Sequence, residues 1–341
     1  MEVIPIKRQI STLLLAAALL VAAGVSLFVG VLDIQPEALL GGDGMALKVF
    51  LLARLPRLLA ILCTGVGMSV AGLIMQQLCM NKFVSPSTGA TIQSAQFGIL
   101  LSLVFFPALG LWGRTLLAFA AAVGGTWVFV WFIQHIQFKN AVLVPLIGIM
   151  FGNVLGGITS FLSYQAEVTQ QLSTYFVGSF SLIIKGNYEL VWLALPLVVV
   201  ALIFANYFNI VGMGRDFSQN LGVNYRLVLF LGLTISAMIT ASVVTVVGQI
   251  SYIGLIVPNL VAMFKGDNIQ GTLVDTALLG ALFVLLCDMI ARSVIAPYEL
   301  PIELIVGIVG SVLFLGMLIY KLNHGRVAVR LGKAKEGSCC G

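Results

Sequence analysis

Long apolar runs dominate the sequence and limit what it can fold into. Short polar segments, or segments rich in glycine and proline, separate these runs. A helix needs roughly 20 apolar residues to cross the hydrocarbon core of a bilayer. Only 9% of the 341 residues are charged, whereas soluble domains carry about 25%. This composition excludes a soluble enzyme, a nucleic-acid-binding protein and a disordered scaffold. It predicts an all-α polytopic membrane protein without a soluble domain.

Ten apolar runs predict about ten transmembrane helices in a single domain that covers residues 1–341. The runs lie at approximately 10–32, 55–78, 90–108, 114–133, 142–163, 188–207, 227–247, 252–264, 272–295 and 302–320. The eighth run has only 13 residues and lies in a glycine-containing segment, so we expect a half-helix or an irregular span there. The first run is longer than the roughly 7–15 residues of a signal-peptide core, which predicts a span that is retained.

The distribution of lysine and arginine predicts the orientation. With the N-terminus in the cytoplasm, twelve basic residues fall on the inner side and six on the outer side. The positive-inside rule then places both termini in the cytoplasm, with a cytoplasmic tail at about 321–341. The net charge of +5 belongs to the membrane flanks and indicates no nucleic-acid partner. The six outer residues oppose the rule; they are Lys48, Arg54, Arg57, Arg114, Lys185 and Arg292.

The sequence lacks the residue patterns of catalytic, metal and nucleotide sites. It contains no H-E-x-x-H or G-x-S-x-G motif, and Lys333 is followed by Ala334 instead of the Ser or Thr of a phosphate-binding loop. The five cysteines have no metal-ligand spacing, and three of them lie in apolar runs, where we expect small buried hydrophobic residues. We therefore expect no enzyme activity, metal or cofactor in this chain.

The acidic residues fall in loops or towards the ends of the predicted spans. An ion-coupled carrier usually needs an ionisable group near the bilayer midplane, because its charging and discharging drives the cycle. An ion-coupled carrier or a passive channel is therefore the weaker alternative. If transport is uphill, the energy must come from another subunit.

A glycine stripe marks the fifth predicted span. Gly148, Gly152 and Gly156 are spaced four residues apart, which places them on one helix face. Small residues at this spacing let two membrane helices approach closely, so we predict helix packing there. The alternative is that this face forms the wall of a conduit.

Three segments resemble the FecCD-type permeases of bacterial ATP-binding-cassette importers, which carry iron–siderophore complexes and cobalamin. In segment 54–91 the matching residues are Arg54, Pro56, Arg57, Ala71, Gly72, Gln76, Asn81, Pro86 and either Gly89 or Ala90. In segment 246–261 they are Gly248, Ile250, Gly254, Leu255 and Pro258. In segment 285–318 they are Asp288, Ala291, Arg292, Glu299, Leu300 and Pro301.

The chain departs from the family pattern at a few positions. Asn81 is followed by Lys82 instead of proline, which resembles a branch that handles ferric catecholate siderophores. The usual Phe and His of the second segment are Tyr252 and Asn259 here, and Glu303 replaces a glycine of the third. A role that depends on that histidine is therefore not transferred to this chain.

The resemblance implies a permease subunit in the bacterial cytoplasmic (inner) membrane that moves an iron(III)–siderophore complex. Its implied partners are a cytoplasmic ATPase dimer, an extracytoplasmic substrate-binding protein, and a second permease subunit that is identical or related, all in contact with membrane lipid. Cobalamin and haem are the alternative cargoes. The residues do not separate them.

The resemblance also implies where the binding protein docks. Arg54, Arg57 and Arg292 would receive its acidic residues, because guanidinium groups form bidentate pairs with carboxylates. The alternatives are side chains that snorkel at helix ends and, for Arg292, a local ion pair with Asp288 four residues earlier.

The polar segment 206–226 would, by the same resemblance, contain short coupling helices that seat on the ATPase. The implied contact residues are Arg215, Asp216, Leu221 and Gly222. We expect Asp216 to cap a helix that begins at Phe217, as Asp does at helix starts. An ordinary solvated loop is the alternative.

An inner gate is implied at the turn that follows the second span. Asn81, Phe83 and Pro86 would form it, since a phenylalanine beside a rigid proline turn can exclude water from a pore. A loop anchored only by Lys82 is the alternative. Gln93 and Gln96, three residues apart, would line a polar path or bond to another helix.

Overall fold

The computed structural model describes residues 6–29, 44–86, 90–135, 143–295 and 297–337. The α-helices in these ranges are α1 (Ile6–Phe28), α2 (Gly44–Val49), α3 (Leu55–Leu78), α4 (Thr91–Phe105), α5 (Leu111–His135), α6 (Leu143–Gln165), α7 (Thr169–Phe176), α8 (Ala194–Val211), α9 (Arg215–Asn220), α10 (Tyr225–Val247), α11 (Ile253–Lys265), α12 (Ile269–Ser293) and α13 (Ile302–Gly337). A π-helical turn, Phe50–Arg54, joins α2 to α3, and a 3₁₀ turn, Glu189–Leu193, leads into α8.

Each of the ten predicted apolar runs contains a helix, which confirms the all-helical membrane fold. Among the described residues, eight helices are long and apolar enough to cross a membrane. The helices α4 and α11 are shorter, with 15 and 13 residues. The number of spans and the cytoplasmic position of the termini stay predictions. The helix α13 continues to Gly337, so most of the predicted tail is helical. Gly89 and the Cys339–Cys340 pair lie outside the described residues.

Helix α3 forms the centre of the bundle and packs against α12, α10, α11 and α8. Glycines make these contacts close. A Cβ atom on Gly65 would overlap the backbone of Gly280 and Ala281 in α12, and one on Gly72 would overlap the backbone of Gly254 in α11. Only residues without a side chain allow helix backbones to approach this far. These glycines therefore hold the central helices in register.

The predicted irregular span is the short helix α11. It follows Gly248, whose φ of 91° lies in the region that favours glycine, and begins after Tyr252, whose φ is 69°. Pro258 lies inside the helix and has no N–H to donate to the carbonyl of Gly254. Gln76 of α3 donates to that carbonyl over 3.1 Å and to the carbonyl of Leu255 over 3.2 Å. A side chain of α3 thus replaces the missing helical hydrogen bond.

Different polar contacts mark the two ends of the bundle. One end contains three such contacts. Arg57 donates to Glu299, the backbone N–H of Lys185 donates to the carbonyl of Leu52, and Trp112 donates to the carbonyl of Gly186. We call this the outer end. Lys82 pairs with Asp267 at the other end, which we call the inner end.

Candidate functional site

An ion-pair network lies at the outer end, where α3 begins and α12 ends. Arg57 donates through Nη2 to Asp288 over 2.8 Å and through Nη1 to both carboxylate oxygens of Glu299 over 2.9 Å. Arg292 pairs with the second oxygen of Asp288 at 2.8 Å, without a well-aligned hydrogen bond. The predicted local pair between Asp288 and Arg292 is therefore present. We call these four residues the outer network.

Two arginines at this end also cap the C-terminus of α1. Arg54 donates to the carbonyls of Leu27 and Val29 over 2.8 and 3.0 Å. Arg292 donates to the carbonyl of Val29 over 2.6 Å and to the hydroxyl of Ser26 over 2.7 Å. The last carbonyls of a helix lack helical partners, and a cation there also interacts favourably with the helix dipole. This contact gives a physical reason for arginines that oppose the positive-inside rule.

The structure thus brings together the three arginines predicted to dock a binding protein, but gives each of them an internal partner. The side chains of Arg292 and Arg57 are 4% and 15% exposed. A cavity of about 210 Å³ opens beside them and is also lined by Ser181 and Glu299. Docking at these arginines stays a prediction, and any docking carboxylate would have to enter this cavity.

Glu299 lies on the connection between α12 and α13. Burial acts to raise the pKa of its carboxyl group. The hydrogen bond from Ser181, at 2.6 Å, and the charge of Arg57 outweigh burial, so the pKa of Glu299 lies below its usual value. Glu299 is therefore held in its charged form by the outer network.

The predicted coupling segment contains one short helix at the inner end. The helix α9 begins at Arg215, after Gly214 with a φ of 107°, and Gly222 with a φ of 74° follows it. The expectation that Asp216 caps a helix starting at Phe217 is wrong. The helix starts two residues earlier because Gly214 adopts the backbone conformation of its N-cap, so Asp216 lies in the first turn.

Helix α9 presents a surface that suits protein contact. Ser218 is buried and donates to the carbonyls of Ile210 and Gly214, which fixes α9 against the end of α8. Met213, Phe217 and Leu221 recur every four residues and are exposed, as are Arg215, Asp216 and Gly222. Large exposed apolar residues beside charges are typical of an interaction surface.

Asn209, near the end of α8, ties the coupling segment to α12. Its amide nitrogen donates to Asn268 over 2.8 Å, and its side-chain oxygen accepts from the backbone N–H of Ile269 over 3.0 Å. Asn268 caps α12 by accepting from the N–H of Gln270. The sequence analysis missed these two asparagines. The local signal for Asn268 is its position before an apolar run.

The predicted gate turn packs on the half-helix α11. Asn81 accepts from the N–H of Phe83 over 2.9 Å, and Phe83 is exposed and meets the ring of Phe314 edge-on. Asn259, which stands where the family has histidine, donates to the carbonyl of Lys82 over 2.7 Å. Buried Pro86 lies against Gly254. The turn is therefore tied to α11 as well as held by the ion pair of Lys82 with Asp267.

Two glycines of the α6 stripe face Gln93 of α4. A Cβ atom on Gly152 would lie 3.1 Å from the amide of Gln93, and one on Gly156 would lie 3.9 Å from its Cγ atom. Gly148 is buried on the same helix, and Gln96 is half-buried. Gly152 and Gly156 thus make room for Gln93, and close packing along the whole stripe stays a prediction.

A second buried ion pair, which the sequence analysis did not anticipate, lies near the inner end. Lys265 pairs with Asp275 at 2.7 Å, and Thr12 donates to the other oxygen of Asp275 over 2.7 Å. Asp275 lies in the second turn of α12, and Asp288 lies near its opposite end. Both aspartates are buried and paired, and neither lies in the middle of the helix.

Comparison with known proteins places the chain in a family. The model of the FecCD transport family matches residues 14–321. The petrobactin import system permease protein YclN of Bacillus subtilis is 42% identical over 88% of this chain and 95% of its own length. The ferric-anguibactin transport system permease protein FatD of Vibrio anguillarum is 37% identical over 86% of this chain and 94% of its own length.

A solved structure agrees with this match. An ABC transporter assigned to the metal-chelate type, in an inward-facing conformation, superimposes with a TM-score of 0.79 and 27% identity over 91% of this chain and 98% of its own. These relatives are permease subunits, which are membrane transport components and not enzymes. The chain belongs to the FecCD transport family.

Proposed function

We propose that this chain is the permease subunit of an ATP-driven importer that moves a ferric siderophore across the bacterial cytoplasmic membrane. The observation that carries the proposal is the match along almost the whole chain to permeases for petrobactin and ferric anguibactin, at 36–42% identity. The paired aspartates of α12 argue against the ion-coupled alternative, because a carboxylate locked in a buried ion pair is poorly suited to charge and discharge during a cycle.

The ATPase would seat on α9. This helix is short, exposed and bounded by two glycines in conformations that favour glycine, so its orientation is defined by the backbone. Phe217 and Leu221 would supply apolar contacts, and Arg215 and Asp216 polar contacts at the rim. Gly222 would allow the turn into α10. Asn209 links this surface to α12, which reaches the outer network, so movement of the ATPase can reach both ends of the bundle.

The binding protein would dock at the outer end, where Arg54, Arg57 and Arg292 line one cavity. The inner gate would be formed by Asn81, Phe83 and Pro86. The support for this gate is the exposed ring of Phe83 at the inner end, on a turn that is held by α11.

A second permease subunit would complete the transport path. The cavities at the outer and inner ends measure about 210 and 300 Å³, at or below the lower limit of roughly 300–1,000 Å³ for pockets that hold drug-sized ligands. A bulky iron chelate therefore needs a wider path, which a dimer axis can supply. Gln93 and Gln96 would contribute polar groups near that path, and Gly148, Gly152 and Gly156 the close packing behind it.

The cargo can be tested by uptake in cells that lack other iron importers. Cells that express this permease with its ATPase and binding protein should accumulate iron-55 supplied as a ferric catecholate siderophore. A 28% identical relative is a molybdate import permease, so labelled molybdate is the matched competitor. Uptake of molybdate without uptake of ferric siderophore would overturn the proposed cargo and leave the family unchanged.

A further inference from the structure

Two arginines of the outer network line the outer cavity, and each keeps one guanidinium nitrogen that the network does not use. Within the described part of the chain, Nε of Arg57 and Nε of Arg292 are buried and have no hydrogen-bond partner. Both residues line the cavity of about 210 Å³, and the side chain of Arg292 is 4% exposed. A guanidinium group presents its donors in a planar fork that matches a carboxylate. A carboxylate that enters the cavity and takes the place of a present partner would therefore meet guanidinium donors that are already arranged for it.

The two carboxylates that already bind Arg57 are held very differently. Asp288 lies within α12, is 1% exposed and pairs with Arg292 as well. Glu299 lies on the connection between α12 and α13 and is 20% exposed. Besides the two hydrogen bonds from Arg57, it accepts one from Ser181, which is exposed. Glu299 is therefore the carboxylate that can leave Arg57 with little rearrangement of the helices.

Charge balance determines what must follow the departure of Glu299. The outer network contains two guanidinium groups and two carboxylates. Without Glu299, the half-buried Arg57 would keep only Asp288, which Arg292 shares. A poorly hydrated charge without full compensation is unfavourable, so another carboxylate has to take the vacated position. The network is thus suited to exchange one carboxylate for another.

We propose that an acidic side chain of the extracytoplasmic binding protein enters the outer cavity and replaces Glu299 on Arg57. Glu299 then acts as an internal competitor that occupies the docking site until the partner arrives. A protein side chain fits better than a small free anion, because the large side chains next to the site, Leu182 and Tyr298, are among the most exposed on this face. This inference rests on the proposed function.

The test measures binding of the importer's own binding protein to the complete permease–ATPase complex in lipid nanodiscs. Glu299→Gln removes the competing charge and keeps the shape, so the affinity should rise about tenfold. Glu189→Gln is the matched control, because Glu189 lies at the same end and, among the described residues, accepts hydrogen bonds only from the backbone N–H groups of Gly186 and Tyr188. The control should leave the affinity unchanged.

A second variant covers a failure of Glu299→Gln to assemble. Ser181→Ala removes the hydrogen bond that holds Glu299 and leaves every charge in place. It should raise the affinity severalfold, whereas a purely structural role of Glu299 predicts no gain.

A spin label at position 298, paired with one at position 48, should report displacement of the connection between α12 and α13 when the binding protein is added.

The outcomes separate the inference from the function on which it rests. Equal affinities of wild type, Glu299→Gln, Ser181→Ala and Glu189→Gln would overturn the exchange and leave the importer intact. A further sample receives 100 mM acetate and is compared with chloride at equal ionic strength. If acetate moves the label at position 298 as far as the binding protein does, the site takes free carboxylates. The assignment to a protein side chain is then wrong. If no binding protein associates with the wild-type complex, the proposed function fails and the inference falls with it.

Discussion

The side-chain amide of Gln76 in α3 donates to the backbone carbonyl of Gly254 in α11 over 3.1 Å. This carbonyl has no helical partner because the residue four positions later is Pro258. The two residues are 178 positions apart in sequence, and both are buried between the same two helices. The contact gives a physical role to the buried glutamine in the last turn of the central helix α3.

Replacement of Gln76 with leucine should destabilise the protein, because the carbonyl of Gly254 would be buried without a donor. An unsatisfied buried polar group costs about 1–3 kcal/mol. Thermal unfolding of the purified permease in detergent should show a lower midpoint. Gln270→Leu, at an exposed position on α12, is the control and should leave the midpoint unchanged. Equal midpoints for both variants would contradict the role given to Gln76.

Substitution of Gly72 with alanine should disrupt the crossing of α3 and α11. Its Cβ atom would overlap the backbone of Gly254, which cannot move aside as a flexible side chain can. Overpacking of this kind costs about 1–3 kcal/mol or more. Gly157→Ala, where the new Cβ would meet open space, is the matched control. Yield and thermal midpoint should fall only for Gly72→Ala. Normal behaviour of that variant would mean that the two helices are less closely packed.

The coupling surface is tested by replacing its exposed residues together. A variant with Arg215→Ala, Asp216→Ala and Leu221→Ser should insert normally but lose stimulation of the ATPase by the loaded binding protein. Each contact is worth about 1–3 kcal/mol when truncated, so single changes should only weaken the association. Gln170→Ala, an exposed position on α7, serves as the control. Full stimulation in the triple variant would return the segment 206–226 to the status of an ordinary loop.

The outer network should respond to acid in a defined direction. The pKa of Glu299 is below its usual value, so its pairing stabilises the folded state above the pKa of the unfolded chain, about 4.3. That contribution should disappear as the pH falls through the pKa of the folded state. The difference in thermal midpoint between wild type and Glu299→Gln should be constant above about pH 5 and shrink below about pH 4.3. A difference that is the same at every pH would contradict this assignment.

The helices and their approximate positions could be predicted from the sequence, because a membrane span must be apolar over most of its length. The irregular eighth span was also predictable, since Gly248 and Gly254 interrupt a run that is too short. The arginines at the outer end could also be singled out from the sequence, because they are exceptions to the positive-inside rule. Each of these predictions depends on local sequence alone.

The partners of these residues could not be predicted, because most of them are distant in sequence or are backbone atoms. Arg54 and Arg292 bond to carbonyls at the end of α1, and carbonyls leave no trace in a sequence. The pairing of Lys265 with Asp275 depends on how α11 and α12 are arranged. The helix start predicted at Phe217 is wrong for a different reason, since the backbone conformation of Gly214 sets the boundary.

ATP-driven transport of a ferric siderophore can be measured in proteoliposomes. The permease is reconstituted with its ATPase and loaded binding protein, and uptake of iron-55 siderophore is followed with and without ATP. Uptake should require ATP, should be lost when the phosphate-loop lysine of the ATPase is replaced, and should be unaffected by proton or sodium ionophores. Uptake without ATP that follows a proton or sodium gradient would contradict the proposed function.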